Sequence, residues 1–250
     1  ILRRNPLLRT FGKRILFRLG STTELNNVKP YHYEINSVEA IKNSSDKLKM
    51  KKCFEEVSCN TAKWFTLVNN KFYLFGDVNN DPNEFEHMSF PLIAKGRFGS
   101  RGNANTKIDS IEELQTWLQK PNRTLNNYIF EFFFNGSREY RLHVSKFGCF
   151  YTNRKLRRDN AEERWFFNNQ NCVWILETNP SFNKPDTWND IVMDCQKGLK
   201  AVGLDLGAFD VRVNKEGHWC IIEVNSAPSF GDLTGEKYIQ ELNKIIQENK

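Results

Sequence analysis

Asp210, Glu223 and Asn225 are the residues whose types and spacing most directly suggest chemistry. They lie in GAFDVRVNKEGHWCIIEVNSAPSF (207–230), where two apolar-rich runs, 209–213 and 219–224, flank the turn-type tetrad Asn214-Lys215-Glu216-Gly217. With Asn214 facing Gly217 across a tight turn, Asp210 is expected opposite Ile221 and diagonal to Glu223. Alternation then puts Phe209, Val211, Val213, Cys220, Ile222 and Val224 on one face, and Asp210, Arg212, Glu223 and Asn225 on the other. Diagonal neighbours on a face sit about 7–8 Å apart, close enough for two side chains to share ions. Three oxygen donors on one side of a stiff hairpin suit magnesium, which takes few protein ligands and completes its shell with water and phosphate. An amphipathic hairpin with a solvated polar face explains the same pattern. The hairpin needs company to become a site.

Three other segments offer that company. FPLIAKGRFGSRG (90–102) ends a buried strand on Lys95 and then turns through Gly96, Gly99 and Gly102, whose backbone N–H groups can approach phosphates closely. No Gly-Lys-Ser/Thr follows, so it is not a Walker loop. YIFEFFFNGSREYRLHV (128–144) reads as two strands joined by a turn at Asn135-Gly136, with Glu139, Arg141 and His143 sharing one face of the second. A carboxylate and a guanidinium so placed can divide the work, one accepting from hydroxyls and the other clamping phosphate oxygens. TNRKLRRDNAEER (152–164) is a dense charge run carrying Lys155, Arg157 and Arg158, read as a solvated loop or as a lid or basic rim facing substrate. Each segment also has an ordinary structural explanation: a strand-end lysine, a polar stripe, a solvated loop.

The elements that must position these groups follow from periodicity. Residues 14–19 read as a strand, and 37–64 as helical with Ser37 as a possible cap. Strands are expected in WFTLV, KFYLFG and FPLIAK, then a helix over 111–118 opened by Asp109 or Ser110. YIFEFFF, REYRLHVSKFGCFY and CVWILET supply more strands, followed by a helix near 188–202, the hairpin, and a closing helix from Glu236. The order is mixed α+β without regular βαβ alternation.

Composition narrows the class. The 250 residues include 13% aromatics, 20 of them Phe, and 26% charged residues, a folded rather than disordered balance. No run approaches the roughly 20 apolar residues of a membrane span, and the start shows no secretory signal. Six cysteines without paired spacing read as reduced core thiols, which points to the cytoplasm. The net charge of +6 matches the six cations Arg3, Arg4, Arg9, Lys13, Arg14 and Arg18, among which no acid falls. Such an arm could attract nucleic acid or an acidic protein, although a solvated terminus explains it equally.

Taken together the segments resemble the ATP-grasp superfamily of carboxylate–amine ligases. SSDKLKMKKCF is similar to the Asp-Lys-Leu helix leading those enzymes into their nucleotide domain, and FPLIAKGRFGSRG to their Lys strand and phosphate loop. IFEFFFNGSRE resembles their hinge and ribose segment, and GAFDVRV with IIEVNSAPSF their paired Asp and Glu-x-Asn metal motif. The resemblance implies an α+β ATP-grasp fold in which two strand-rich subdomains clasp a nucleotide. It divides the chain into a short basic segment (1–36), a linker helix with the central subdomain (37–129), and a C-terminal subdomain with the metal site (130–250).

On that resemblance Lys47 and Lys95 contact phosphates while Ser100, Arg101 and Gly102 close over them. Backbone at 130–132 reads adenine with Glu131 and Phe132 adjacent, and Glu139 binds ribose. Asp210, Glu223 and Asn225 hold two magnesium ions (manganese being an alternative), and Arg141 and Lys155 serve the reacting groups. The ribosomal protein glutamate ligase branch fits best, because Arg141 matches its Arg on the equivalent strand. D-alanine–D-alanine ligases carry Arg two residues before the metal Asp, where this chain has Ala208. The implied reaction activates an amino-acid or peptide carboxylate as an acyl phosphate and joins it to an amine. A nucleic-acid ligase or nucleotidyltransferase, a kinase-like enzyme and a non-catalytic ATP-binding module are the rival readings.

Overall fold

The strand-forming runs of this chain alternate apolar with polar residues, so each sheet they build has one face that needs cover. The computed structural model describes residues 7–10, 13–24, 33–68, 71–74, 89–99, 105–121, 124–161, 165, 167–168, 170–229 and 231–248. Strands β1 (Leu7–Thr10), β2 (Lys13–Phe17) and β3 (Tyr33–Ile35) form a small sheet. Helices α1 (Val38–Ser45) and α2 (Lys47–Glu56) follow. β4 (Trp64–Val68), β5 (Lys71–Leu74), β6 (Leu92–Gly96), β7 (Thr106–Ile108), helix α3 (Ile111–Leu118) and β8 (Tyr128–Phe132) build a central unit, with sheet order β5-β4-β8-β6-β7. The C-terminal sheet takes β9 (Arg138–Ser145), β10 (Gly148–Arg157), β11 (Cys172–Leu176), β12 (Leu206–Val213) and β13 (Trp219–Asn225) in the order β11-β10-β9-β12-β13. Helix α4 (Trp188–Val202) precedes its last two strands, and α5 (Asp232–Glu248) closes the chain.

Each face finds its cover. Phe65, Leu67, Leu92, Ala94 and Phe130 of the central sheet pack on Leu114 and Trp117 of α3. Tyr140, Leu142, Val144, Phe209, Val211, Val213, Ile221 and Val224 meet α1, α2 and α4 through Ile41, Met50, Phe54, Ile191, Cys195 and Leu199. Burying each large side chain contributes about 1.5–3 kcal/mol. Gly198 permits the closest approach of α4, since a Cβ there would stand 3.0 Å from Phe54 and 3.3 Å from both Phe209 and Cys59. A third cluster joins Ile15, Phe17 and Ile35 to Leu206 and to Tyr238, Leu242, Ile245 and Ile246 of α5.

Several sequence expectations are corrected. The helical stretch after Ser37 breaks at Asp46, whose extended backbone ends α1 and whose carboxylate caps α2 by accepting from Leu48 N. β8 and β9 are not a hairpin: they belong to different sheets, and residues 133–137 cross between them. The strand expected at 14–19 is β2, which runs from Lys13 to Phe17, and the last helix starts at Asp232 instead of Glu236. Lys155 is neither in a loop nor on a lid but buried within β10.

The β12–β13 hairpin also differs from the tight-turn register. Asn214 N bonds His218 O at 2.9 Å, so the turn is longer than four residues. Ile222 is extruded as a bulge, and Asp210 stands directly opposite Glu223, not Ile221. The longer turn brings Ile221 into the core and Cys220 to the polar side, and the bulge returns Glu223 and Asn225 to the face of Asp210. No helix among the described residues is long and apolar enough to cross a membrane.

Candidate functional site

On the polar face of the C-terminal sheet, strand register lines up three rows. Trp174, Lys155, Glu139, Arg212 and Cys220 form the first, and Leu176, Asn153, Arg141, Asp210 and Glu223 the second. Tyr151, His143, Ala208 and Asn225 form the third. These residues come from five strands, and alternation alone would turn them to the same side.

Within these rows opposite charges interlock. Arg141 grips Asp210 with two bonds, Nε to Oδ1 at 2.7 Å and Nη2 to Oδ2 at 2.8 Å. Lys155 Nζ lies 2.5 Å from Glu139 Oε1 and 3.4 Å from Asp210 Oδ2, and Arg212 Nε donates to Glu139 Oε2 at 2.8 Å. The indole of Trp174 covers both cations, 4.8 Å from the Arg141 guanidinium carbon and 5.1 Å from Lys155 Nζ. Burial alone would raise the Asp210 pKa, but Arg141 and Lys155 reverse this and hold its carboxyl well below the usual range. Burial would lower the Lys155 pKa, and Asp210 with Glu139 turns it upward instead. Burial, reinforced by Arg141, pushes His143 down to about 3, so its imidazole is neutral; Nδ1 pairs with Tyr238 Oη at 2.9 Å.

The central sheet contributes a second buried set. Lys95 Nζ lies 2.6 Å from Glu131 Oε2, while Lys51 Nζ of α2 lies 3.2 Å from Oε1. Burial would raise the Glu131 pKa, but the two lysines keep it below the usual range; burial lowers that of Lys51, and Glu131 offsets this only in part. Lys47, one turn before Lys51 on α2, donates to Gly99 O at 2.8 Å and approaches Glu223 Oε2 at 3.9 Å. Cys220 lies within the field of Lys51, Glu131, Lys95 and Arg212, so the two charged sets adjoin through β13.

Asp210, Glu223 and Asn225 thus come together: the first two are cross-strand partners, and Asn225 Nδ2 donates to Glu223 Oε1 at 3.2 Å. Among the described residues no three His, Cys, Asp or Glu side chains gather closely enough to hold a metal alone. Two carboxylates plus a carboxamide supply oxygen donors only, and that chemistry fits a hard divalent cation that keeps much of its own hydration. Arg141 reaches Asp210 from the neighbouring strand β9, whose His143 is paired with Ala208.

Other expected residues fare differently. Glu139 accepts from Lys155 through one oxygen and from Arg212 through the other. Glu131 is likewise committed to lysines, and Phe132 N donates to Lys63 O at 2.9 Å. Ser100, Arg101 and Gly102 lie outside the described residues. Of the basic arm, Arg18 is buried, pairs with Glu34 and donates to Thr23 O at 2.6 Å. Sequence reasoning missed Lys51, Trp174 and the Asp46–Arg97 pair, in which Nε and Nη2 meet the two carboxylate oxygens at 3.0 and 2.5 Å. Helical spacing from Lys47 would have found Lys51. Nothing local signals the other two.

No protein-family model matches the sequence, and a search of curated protein sequences finds no match. Solved structures do match in three dimensions. D-alanine–D-alanine ligase from Bacillus anthracis complexed with ATP superposes with a TM-score of 0.63 at 16% identity, covering 88% of this chain and 70% of that one. An L-amino acid ligase from Bacillus licheniformis gives 0.53 at 16% identity, covering 79% of this chain and 44% of that one. The ATP-grasp ligase PsnB, complexed with a minimal precursor, gives 0.51 at 16% identity over 81% and 59%. The chain therefore spans between less than half and about 70% of these proteins' lengths. At these identities the likeness speaks for architecture, and the architecture of this chain is the ATP-grasp fold.

Proposed function

We propose that this chain is an ATP-dependent ligase that activates a carboxylate as its acyl phosphate and joins it to an amine, releasing ADP and phosphate. Amino acids or short peptides are the substrate class, as in the ribosomal protein glutamate ligase branch that Arg141 matches. The observation that carries the reading is the cationic surplus beside an oxygen-donor set. Arg141, Lys155 and Arg212 face Asp210, Glu139 and Glu223 in the C-terminal sheet, whereas Lys51 and Lys95 share the single carboxylate of Glu131 and Lys47 stands beside them, so the cations exceed the carboxylates over the two sets together. Buried surplus charge demands an anion, and oxygen donors next to it demand a cation. A nucleotide's phosphates with magnesium satisfy both.

The first step brings a substrate carboxylate to the γ-phosphorus; a new P–O bond forms as the bond to the β-phosphate oxygen breaks, and ADP leaves. An amine nitrogen then attacks the acyl carbon and phosphate departs. Two anions must meet in the first step, so the chain's cations carry the burden. In this reading Lys95 and Lys47 contact the nucleotide phosphates together with Ser100, Arg101 and Gly102, and backbone near 130–132 reads the adenine. Arg141 and Lys155, oriented by Asp210, Glu139 and the Trp174 ring, clamp the oxygens of the phosphoryl group in transit. Asp210, Glu223 and Asn225 would hold magnesium, which when bound supplies positive charge to the phosphate oxygens. The six unpaired cysteines suit a reducing cytoplasm.

The test is an ADP-release screen with magnesium across amino acids and short peptides, followed by mass spectrometry of the products. The reading expects ADP formation that requires both a carboxylate and an amine, and a product lighter than their sum by one water. AMP and a lysine-bound adenylate would replace it with a nucleotidyltransferase.

A further inference from the structure

Lys51 has no surface at all: its side chain is 0% exposed, enclosed between α2, β8 and β13. A lysine so placed is costly, because its ammonium leaves water and recovers only what its partners supply. Here those partners are Glu131 Oε1 at 3.2 Å and Thr61 Oγ1 at 2.5 Å. Thr61 in turn donates its hydroxyl to Ile221 O at 2.9 Å, two residues before Glu223. Glu131 already has a close partner in Lys95 at 2.6 Å. Glu131 and Lys95 alone would make a neutral pair, and a methionine or leucine at position 51 would fill the space without the desolvation cost.

What Lys51 changes is the charge count. With it, the buried trio carries one net positive charge; without it, the Lys95 ammonium is cancelled by its own carboxylate. We propose that Lys51 is a positioning residue that never touches the nucleotide: by holding one oxygen of Glu131 it leaves the Lys95 charge free to bind a terminal phosphate. The inference rests on the reading that a nucleotide occupies the site beside Lys95. It adds that affinity for the anion is set by a side chain one helical turn beyond Lys47, out of reach of any ligand.

Charge-balanced variants test it, with a nonhydrolysable ATP analogue plus magnesium, and inorganic tripolyphosphate, as probes in calorimetric titrations. Lys51→Met is expected to weaken both probes roughly tenfold or more. Lys51→Met/Glu131→Gln restores the wild-type charge of the trio and is expected to recover most of that loss. Lys51→Gln supplies the same arm should the methionine variant fold poorly, and thermal melts record stability alongside. A mere strut would lower the melting temperature, leave the dissociation constant of the folded protein unchanged and show no recovery in the double variant; either of those last two results overturns the proposal. Wild-type protein that binds neither probe would overturn the nucleotide reading itself, and this inference with it.

Discussion

Arg141 and Asp210 face each other on adjacent antiparallel strands and are joined by two parallel hydrogen bonds of 2.7 and 2.8 Å. The pair puts a fixed guanidinium beside one of three oxygen donors, so the cationic and anionic halves of the site share a hinge. Arg141→Lys keeps the charge but cannot reproduce the fork. Turnover in the ADP-release assay is expected to fall about 10²-fold, with a far smaller change in the melting temperature. Near-normal turnover would remove Arg141 from the reacting centre.

Among the described residues Glu223 is paired with Lys47 at the long distance of 3.9 Å, and it sits across from Asp210. Glu223→Gln is expected to lower turnover by roughly 10²-fold or more and to weaken manganese binding followed by electron paramagnetic resonance. Unchanged manganese affinity would remove Glu223 from the metal set.

His143 makes stability depend on acid in a defined direction. Its imidazole takes a proton near pH 6.5 when unfolded but only near about 3 in the fold, so the unfolded chain binds more protons between those values. Stability contributed by the neutral ring is complete above about pH 6.5 and is lost as pH falls toward 3, on the order of 4 kcal/mol over the window. Asp210 adds a loss of the same sign further down, because its carboxyl resists protonation in the fold. Melting temperatures of His143→Gln and wild type are expected to converge from pH 7 to pH 4. Parallel profiles would mean the ring is solvated.

Asp46 combines a cap and an ion pair, and two substitutions separate them. Asp46→Asn keeps an oxygen for Leu48 N but loses the charge facing Arg97, whereas Asp46→Ala loses both. The alanine variant is expected to lose about 1 kcal/mol more stability than the asparagine variant, measured by urea denaturation. Both are expected to weaken ATP-analogue binding, because Arg97 is followed by Phe98 and by Gly99, whose carbonyl accepts from Lys47. Equal stability of the two would deny the cap.

Gly198 tests the core. Gly198→Val is expected to cost about 1–3 kcal/mol by overpacking against Phe54 and Phe209, read from urea midpoints. A neutral effect would mean that α4 stands off the sheet.

Much of this arrangement was legible in the sequence because alternation is a local signal. Alternation assigns Glu139, Arg141 and His143 to one face and Tyr140, Leu142 and Val144 to the other, and the core contains the latter three. The ends of α4 and the Ser110 cap of α3 follow from periodicity and side-chain chemistry close in sequence. The Ile222 bulge was not legible, because a one-residue slip is decided by packing of Ile221 and Val224 against α2 and α4, which no pattern within the hairpin specifies. The separation of β8 from β9 into different sheets was hidden for the same reason: Asn135-Gly136 reads as a turn wherever the flanking strands go. Lys155 looked like part of a charged loop because Glu139 and Asp210, which bury it, lie 16 and 55 residues away.

The central claim, that a carboxylate oxygen attacks the terminal phosphorus of ATP, is tested most directly by following that oxygen. Once the screen identifies a substrate, its carboxylate is labelled with heavy oxygen and the phosphate released during turnover is weighed by mass spectrometry. One labelled oxygen in each phosphate, formed together with ADP, is the expected result. Unlabelled phosphate, or label recovered in AMP, would contradict the account.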